Sequence, residues 1–474
     1  MKGWIKYSLY SLTAIILLIL LGGGWYVSEA VPVMTGYVAK YLCSSTFISE
    51  RNPAIVFTED ILPINPIARY VEWKIDYKAK KVSAELWGLF TASAVFRDDC
   101  GCTLVRGLSE TEILTQGFVN HEKLVDNNPQ SHNLPWPAGS GAAADAGTVG
   151  VDADKLSELL DWAFEEPQNG YQRMTRALLV IYRGQLIAER YAAGFNQDMP
   201  LLGWSMSKSV TNALAGVLVK EGLIDPYARA TVPEWESPDD PRNRITFDQL
   251  IRMSSGLAFE ETYEPMYDAT EMLYKKADFA AFAAEKPLTS DPDQTWYYSS
   301  GTANIVARII RQTIISSDGS YYKWMYDTLF NKIGMTSTIL ETDPSGTFVG
   351  SSYVFATPRD WARFGLLYLR DGVWNDTRIL PEGWVRYSTT PTPKAPRGEY
   401  GAFFWLNAGQ PGNPDNRLWP AAPVDAYAAW GFLEQKVIVI PSKDLVLVRF
   451  GTTPQTQGWD TNEFIRRVLA LLPS

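Results

Sequence analysis

Only two histidines, His121 and His132, occur in the 474 residues. Both precede residue 150, where the regular elements begin, so a Ser-His-Asp hydrolase there would lack its imidazole base. No Gly-x-Ser-x-Gly elbow and no glycine-rich phosphate loop appears. Cysteine is scarce as well, with Cys43, Cys100 and Cys102 alone. Cys100 and Cys102 are too close together to pair without strain. In an oxidising compartment Cys43 therefore pairs with either Cys100 or Cys102 and leaves one over. Without a second Cys/His cluster, neither a metal site nor a cofactor is expected. Positive charge is also in deficit: 43 Lys and Arg face 53 Asp and Glu, a net charge of -10 that argues against a nucleic-acid partner.

What the chain does have begins with an apolar run. Residues 7 to 28 carry no charge, Leu12 to Leu21 is almost wholly aliphatic, and Lys2 and Lys6 precede it. That length spans a bilayer, and the lysines favour a cytoplasmic N-terminus. Residues 1–29 are therefore expected to be a membrane anchor, with a cleaved signal ending near Ser28-Glu29-Ala30 as the alternative. Either way the remainder is exported: single-pass in an inner membrane and facing the periplasm, or released there. Residues 30–125 read as an extension with short strands such as Val82–Trp87 and Ala94–Phe96. The Asn-, Pro-, Gly- and Ala-rich stretch 126–149 reads as a linker.

Residues 150–474 carry the regular elements. Leu156, Leu159, Leu160 and Ala163 share one helical face, and residues 177–182 and 185–190 flank Arg183-Gly184 as a hairpin. Ser205 opens a helix ending at Gly222, and residues 246–390 are mostly helical. Two late strands, 435–440 and 445–450, precede a final helix over 462–472. Strands from both ends must then meet in one antiparallel sheet. The expected fold is α+β, a sheet flanked by helices with a large helical lobe inserted, behind an N-terminal transmembrane helix.

Within Gly203-Trp204-Ser205-Met206-Ser207-Lys208, a serine and a lysine three apart stack on one helix face. A lysine whose charged form is penalised by burial can take a serine proton, so the pair needs no histidine. Spacing alone is weak, since Ser320-Tyr321-Tyr322-Lys323 shows it too and reads as an ordinary helix start. A plain capping serine beside a solvated lysine is the bland reading of Ser205 and Lys208. The companions weigh against it. In Trp296-Tyr297-Tyr298-Ser299-Ser300-Gly301, Tyr298 can hold its phenol near the pair and relay a proton. In Ala429-Trp430-Gly431-Phe432, a strand-edge glycine lets a substrate approach backbone donors. The N–H groups of Ser205 and Phe432 would then form an oxyanion hole.

These stretches, in this order, resemble the serine beta-lactamase and penicillin-binding protein superfamily. More narrowly they resemble the class C-like hydrolases that include esterases and 6-aminohexanoate-dimer hydrolases. The resemblance covers about residues 150–474 and also draws on Ile245–Leu257 and Gly350–Gly365. It implies Ser205 as acylated nucleophile, Lys208 as its base and Tyr298 as proton shuttle. Two departures bear on substrate. Tyr298-Ser299-Ser300 replaces Tyr-x-Asn, so Ser300 stands where a side-chain amide would hold a lactam. Ala429-Trp430-Gly431 replaces Lys-Thr-Gly, with Ala426-Tyr427-Ala428 as the other alignment, in which Ala429 becomes the oxyanion donor. The first is preferred because it keeps the glycine. Neither supplies a cation for a substrate carboxylate. With Trp430 beside the site, the expectation is an ester or linear amide of small size. A beta-lactamase or D-Ala-D-Ala carboxypeptidase or transpeptidase, and a non-enzymatic envelope binding module, are the alternatives.

Overall fold

A single helix, α1 (Lys2–Phe47), opens the chain and crosses the 29/30 boundary drawn from the sequence without a break, with Pro32 inside it. The structure, a computed structural model, describes residues 2–98, 100–116, 134–316, 320–410, 412–413 and 415–473, apart from the side chains of residues 2–6, 8–9 and 11–20. The apolar run behind the expected anchor falls mostly on those side chains, outside the described residues. Among the described residues, no helix is long and apolar enough to cross a membrane. His121, His132 and residues 126–133 of the expected linker also lie outside the described residues.

From Val31 to Cys43, α1 is largely buried against the main core, so residues 30–47 are helix rather than the extended chain expected there. A small antiparallel sheet follows, β1 (Glu72–Asp76), β2 (Lys81–Glu85), β3 (Ala92–Arg97) and β4 (Gly101–Leu104), in sequential order. Cys43 on α1 is bonded to Cys102 on β4, and Cys100 is buried as a thiol.

The catalytic region starts with α2 (Ala153–Phe164) and the hairpin β5 (Thr175–Tyr182) and β6 (Gln185–Tyr191). The short β7 (Leu201–Leu202) leads into α3 (Met206–Lys220), and the helical lobe then runs to α4 (Ser300–Ser316). Beyond it come β8 (Ile339–Leu340), β9 (Val354–Ala356) and α5 (Pro358–Leu369). The chain closes with β10 (Trp405–Leu406), β11 (Tyr427–Gly431), β12 (Gln435–Ile440), β13 (Leu445–Gly451) and α6 (Thr461–Leu469).

The early hairpin and the late strands do join in one six-stranded antiparallel sheet, ordered β10-β11-β12-β13-β5-β6. β5 is buried along its whole length because both faces of the sheet are covered. Leu178, Val180 and Tyr182 pack with Leu156 of α2 and Phe464 of α6. Leu179 and Ile181 alternate to the other face and join the core that contains Trp361 and Phe364 of α5. That helix lies close to the sheet: a Cβ on Gly365 would come within 2.6 Å of Val446 and 2.7 Å of Val437. The turn that bears Ser205 follows a further, three-stranded sheet ordered β7-β9-β8.

Candidate active site

A sharp turn between β7 and α3 presents Ser205. Trp204 sits in the left-handed region at φ 47°, and Ser205, at φ -63° and ψ -5°, begins the helix. The turn is pinned from both sides. The Gly203 N–H donates to the Val354 carbonyl at 2.9 Å, and the Ser207 hydroxyl donates to the Trp204 carbonyl at 2.7 Å. Gly203 has no room for a side chain, since a Cβ would fall 2.5 Å from the Trp361 ring. The Ser205 side chain makes no capping hydrogen bond. Its hydroxyl is thus not consumed by the helix end, which removes the bland reading of this serine.

One turn on, Lys208 is 1% exposed. Its Nζ lies 3.0 Å from Ser205 Oγ, 3.1 Å from Ser300 Oγ and 3.1 Å from the Ser351 carbonyl. Burial penalises the ammonium and lowers its pKa to about 8, with the Glu261 carboxylate opposing the shift. The look-alike pair behaves differently: Lys323 is half exposed and bridges to Asp327.

Tyr298 stands over the pair, with Lys208 Nζ 4.7 Å from its ring centroid. Burial and then the Glu261 carboxylate push the phenol well above its ordinary range, while the Ser205 hydroxyl pulls the other way. Lysine and tyrosine are therefore displaced in opposite senses. The amine loses its proton within reach of neutral pH and the phenol keeps its own, the kind of separation that lets one group accept a proton and its neighbour donate one.

Gly431 closes the other side. A Cβ there would meet the Gly203 carbonyl oxygen at 2.1 Å, so only glycine lets β11 lie against the turn that carries Ser205. Phe432 follows, its ring edge-on to Trp204 at 5.7 Å and stacked on Tyr263 at 5.7 Å. Leu433 and Glu434 then take consecutive left-handed conformations, φ 62° and 68°. Among the described residues such a pair beside a cleft is local strain held by the surrounding fold.

Ser205, Tyr298, Trp430, Gly431 and Phe432 together line a cavity of about 230 Å³, walled further by Trp405 and Tyr263. Tyr298 stacks on Trp405 at 5.4 Å, and Trp405 touches Trp430 at 5.3 Å. Ala429, the donor in the second alignment, is buried in the sheet away from this lining. Ser300 departs from its expected place. It is fully buried and faces Lys208 and Glu261 rather than substrate, because α4 begins at that residue and turns the hydroxyl inward. A lysine does approach the third motif, one strand over: Lys436, the cross-strand partner of Trp430, lies 4.0 Å from its ring. It is buried and paired with Glu434, so its charge is already matched.

Glu261 and Tyr263, on a loop between the regular elements, Trp405 of β10, and the Ser351 carbonyl, within Gly350–Gly365, also build the site. No spacing rule points to any of the four. Glu261 shares its loop with Glu260 and Glu264, and only the fold decides which carboxylate turns inward.

A family model described as Beta-lactamase matches residues 160–471. The 6-aminohexanoate-dimer hydrolase of Paenarthrobacter ureafaciens is 25% identical over 313 residues, 60% of this chain and 75% of that one. Among solved structures, a family VIII carboxylesterase superposes with a TM-score of 0.51 at 15% identity, covering 67% of this chain and 96% of its own. EstCE1, a hydrolase with promiscuous acyltransferase activity, gives 0.52 at 12% identity over 68% and 98%. At such identities the two structures speak for the fold alone.

Proposed function

The chain belongs to the beta-lactamase family, and from that premise we propose that it is a serine hydrolase cleaving esters or linear amides through an acyl-enzyme. The observation that carries this reading is the 3.0 Å contact between a buried Lys208 Nζ and Ser205 Oγ, at an aromatic cavity that Ser205 helps to line. The neutral amine takes the Ser205 proton as Oγ attacks the substrate carbonyl. The resulting oxyanion is received by the N–H groups of Ser205 and Phe432. Tyr298 gives its proton to the departing alcohol or amine and is reprotonated from the Lys208 ammonium. Water then attacks the acyl-enzyme with the same groups acting in reverse.

The aromatic lining, and the pairing of Lys436 beside Trp430 with Glu434, favour an apolar acyl group without a carboxylate. That preference places esterase or amidase ahead of beta-lactamase, carboxypeptidase or transpeptidase action. The dimer-hydrolase activity named for the Paenarthrobacter relative is compatible with this preference. We extend the reading to an exported protein facing the periplasm. The lysines ahead of the apolar run favour that orientation, and the Cys43–Cys102 disulfide suits an oxidising compartment.

A fluorophosphonate probe and a panel of nitrophenyl esters, linear amides and lactams test the reading on wild type and Ser205→Ala. The expected result is labelling and ester or amide turnover that vanish in the variant. Labelling that persists in Ser205→Ala overturns the nucleophile. Turnover confined to lactams, or stable acylation by a fluorescent penicillin, selects the family's other activities. A chain with no Ser205-dependent reaction at all is a binding module.

A further inference from the structure

Resting on that reading, we propose that Glu261 is a positioning residue that, through the Ser300 hydroxyl, turns the Lys208 amine so that its lone pair faces Ser205. A neutral lysine amine has two N–H bonds and one lone pair, and as a base it must aim the lone pair at the Ser205 proton. Three oxygens surround Lys208 Nζ: Ser205 Oγ, Ser300 Oγ and the Ser351 carbonyl. The carbonyl can only accept, so one N–H points there.

Ser300 is the ambiguous neighbour. A hydroxyl both donates and accepts, and one that donated to Nζ would occupy the lone pair and disable the base. Glu261 removes that option. Its Oε1 accepts the Ser300 hydroxyl proton at 2.5 Å, and its Oε2 accepts the Ser300 backbone N–H at 2.6 Å. With its only hydrogen committed to a carboxylate, Ser300 Oγ can only accept from Lys208. Both N–H bonds are then assigned, and the lone pair is left for Ser205.

The carboxylate is itself held in place. The Tyr263 hydroxyl donates to Oε1 at 2.8 Å, and the Ser300 N–H belongs to the first residue of α4, a helix end that favours negative charge. After proton transfer, the same charge favours the Lys208 ammonium. Glu261 thus orients the free base and steadies the product of its first step.

A plain helix cap would make the same bonds to Ser300, so the test must read something a cap does not move. The titratable groups facing Lys208 are Glu261 and Tyr298, and those coupled to Glu261 are Tyr263, Tyr298 and Tyr400. Burial keeps all three phenols protonated far above the relevant window. The rate of fluorophosphonate labelling of Ser205 against pH therefore follows Lys208, whatever the natural substrate.

In wild type, labelling should rise with pH to a plateau. In Glu261→Gln, loss of the opposing charge should move the midpoint to lower pH, and loss of the lock should lower the plateau about 10–100-fold. Ser300→Ala should lower the plateau similarly while leaving the midpoint near wild type, because the carboxylate remains. Glu261→Asp, which keeps the charge, should also hold the midpoint. A midpoint unmoved in Glu261→Gln, or a Ser300→Ala plateau within twofold of wild type, overturns the proposal. If Glu261→Gln does not fold, the Ser300→Ala plateau decides. Wild type that fails to label overturns the serine mechanism itself, and this inference with it.

Discussion

Lys208, as the proposed base, is one side chain on which folding and catalysis pull in opposite directions. Free lysine holds its proton to a pKa of about 10.4, whereas burial lowers that of Lys208 to about 8. Activity that needs the neutral amine should rise about tenfold per pH unit below about 8 and level off above it. Initial rates between pH 6 and 10 check this, and a rate independent of pH across 7 to 9 would count against lysine as base. The stability sign is opposite to that of a salt bridge. Between the folded and unfolded pKa values the unfolded chain binds more protons, so the contribution of Lys208 to stability rises with pH across that window and is unfavourable below it. Lys208→Met should therefore cut turnover by about 10²–10⁴-fold yet raise the free energy of urea unfolding at pH 7, by about 1 kcal/mol or more. A variant that loses activity and stability together would show that the amine's hydrogen bonds outweigh its desolvation.

Between elements, the decisive contact is β11 against the turn from β7 to α3. With a Cβ at Gly431 falling 2.1 Å from the Gly203 carbonyl, Gly431→Ala must separate the strand from the turn that carries Ser205. The two N–H groups proposed for the oxyanion would part with it. The expected loss is about 10²-fold or more in kcat with a smaller change in KM, measured on any ester that wild type turns over. Much of this level was readable beforehand. Residues 437–440 and 177–182 are unbroken apolar runs closed by turns, and helical spacing puts Lys208 on the face of Ser205 without telling that pair from Ser320 and Lys323. Tyr298 and Gly431 needed the order of motifs as well. Glu261 was not readable, because its role depends on α4 starting at Ser300 and closing over one of several acidic neighbours. Nor was the length of α1, since Pro32 and the polar residues after it look like a helix end. Packing of Val31 to Cys43 into the core overrides that local signal.

Across the whole molecule, the N-terminal unit is built into the back of the active site rather than tethered beside it. Tyr41 of α1 stacks on Trp204, the residue before Ser205, at 6.1 Å. Lys40 pairs with Glu341, which also accepts from Ser44 at 2.7 Å. Asp60 is fully buried and gathers three partners: Arg51, Arg176 of β5, and the Tyr41 hydroxyl at 2.9 Å. Burial alone would raise the pKa of this carboxyl, but the two guanidinium groups bring it below its ordinary value. Its stabilising share is thus present at neutral pH and lost as pH falls through the folded pKa. Asp60→Asn keeps the size and removes the charge, leaving two arginines unmatched in the interior. That should cost about 3–5 kcal/mol in urea unfolding at pH 7, a difference that shrinks as pH falls below the ordinary carboxylate range, where the unfolded wild-type chain takes up a proton that the folded one resists. Because Tyr41 connects Asp60 to Trp204, the substitution should also lower Ser205 labelling at urea concentrations well below global unfolding. Labelling and unfolding are measured on the same samples. Unchanged labelling up to the unfolding midpoint would mean that the N-terminal unit stabilises the catalytic region without shaping its nucleophile turn.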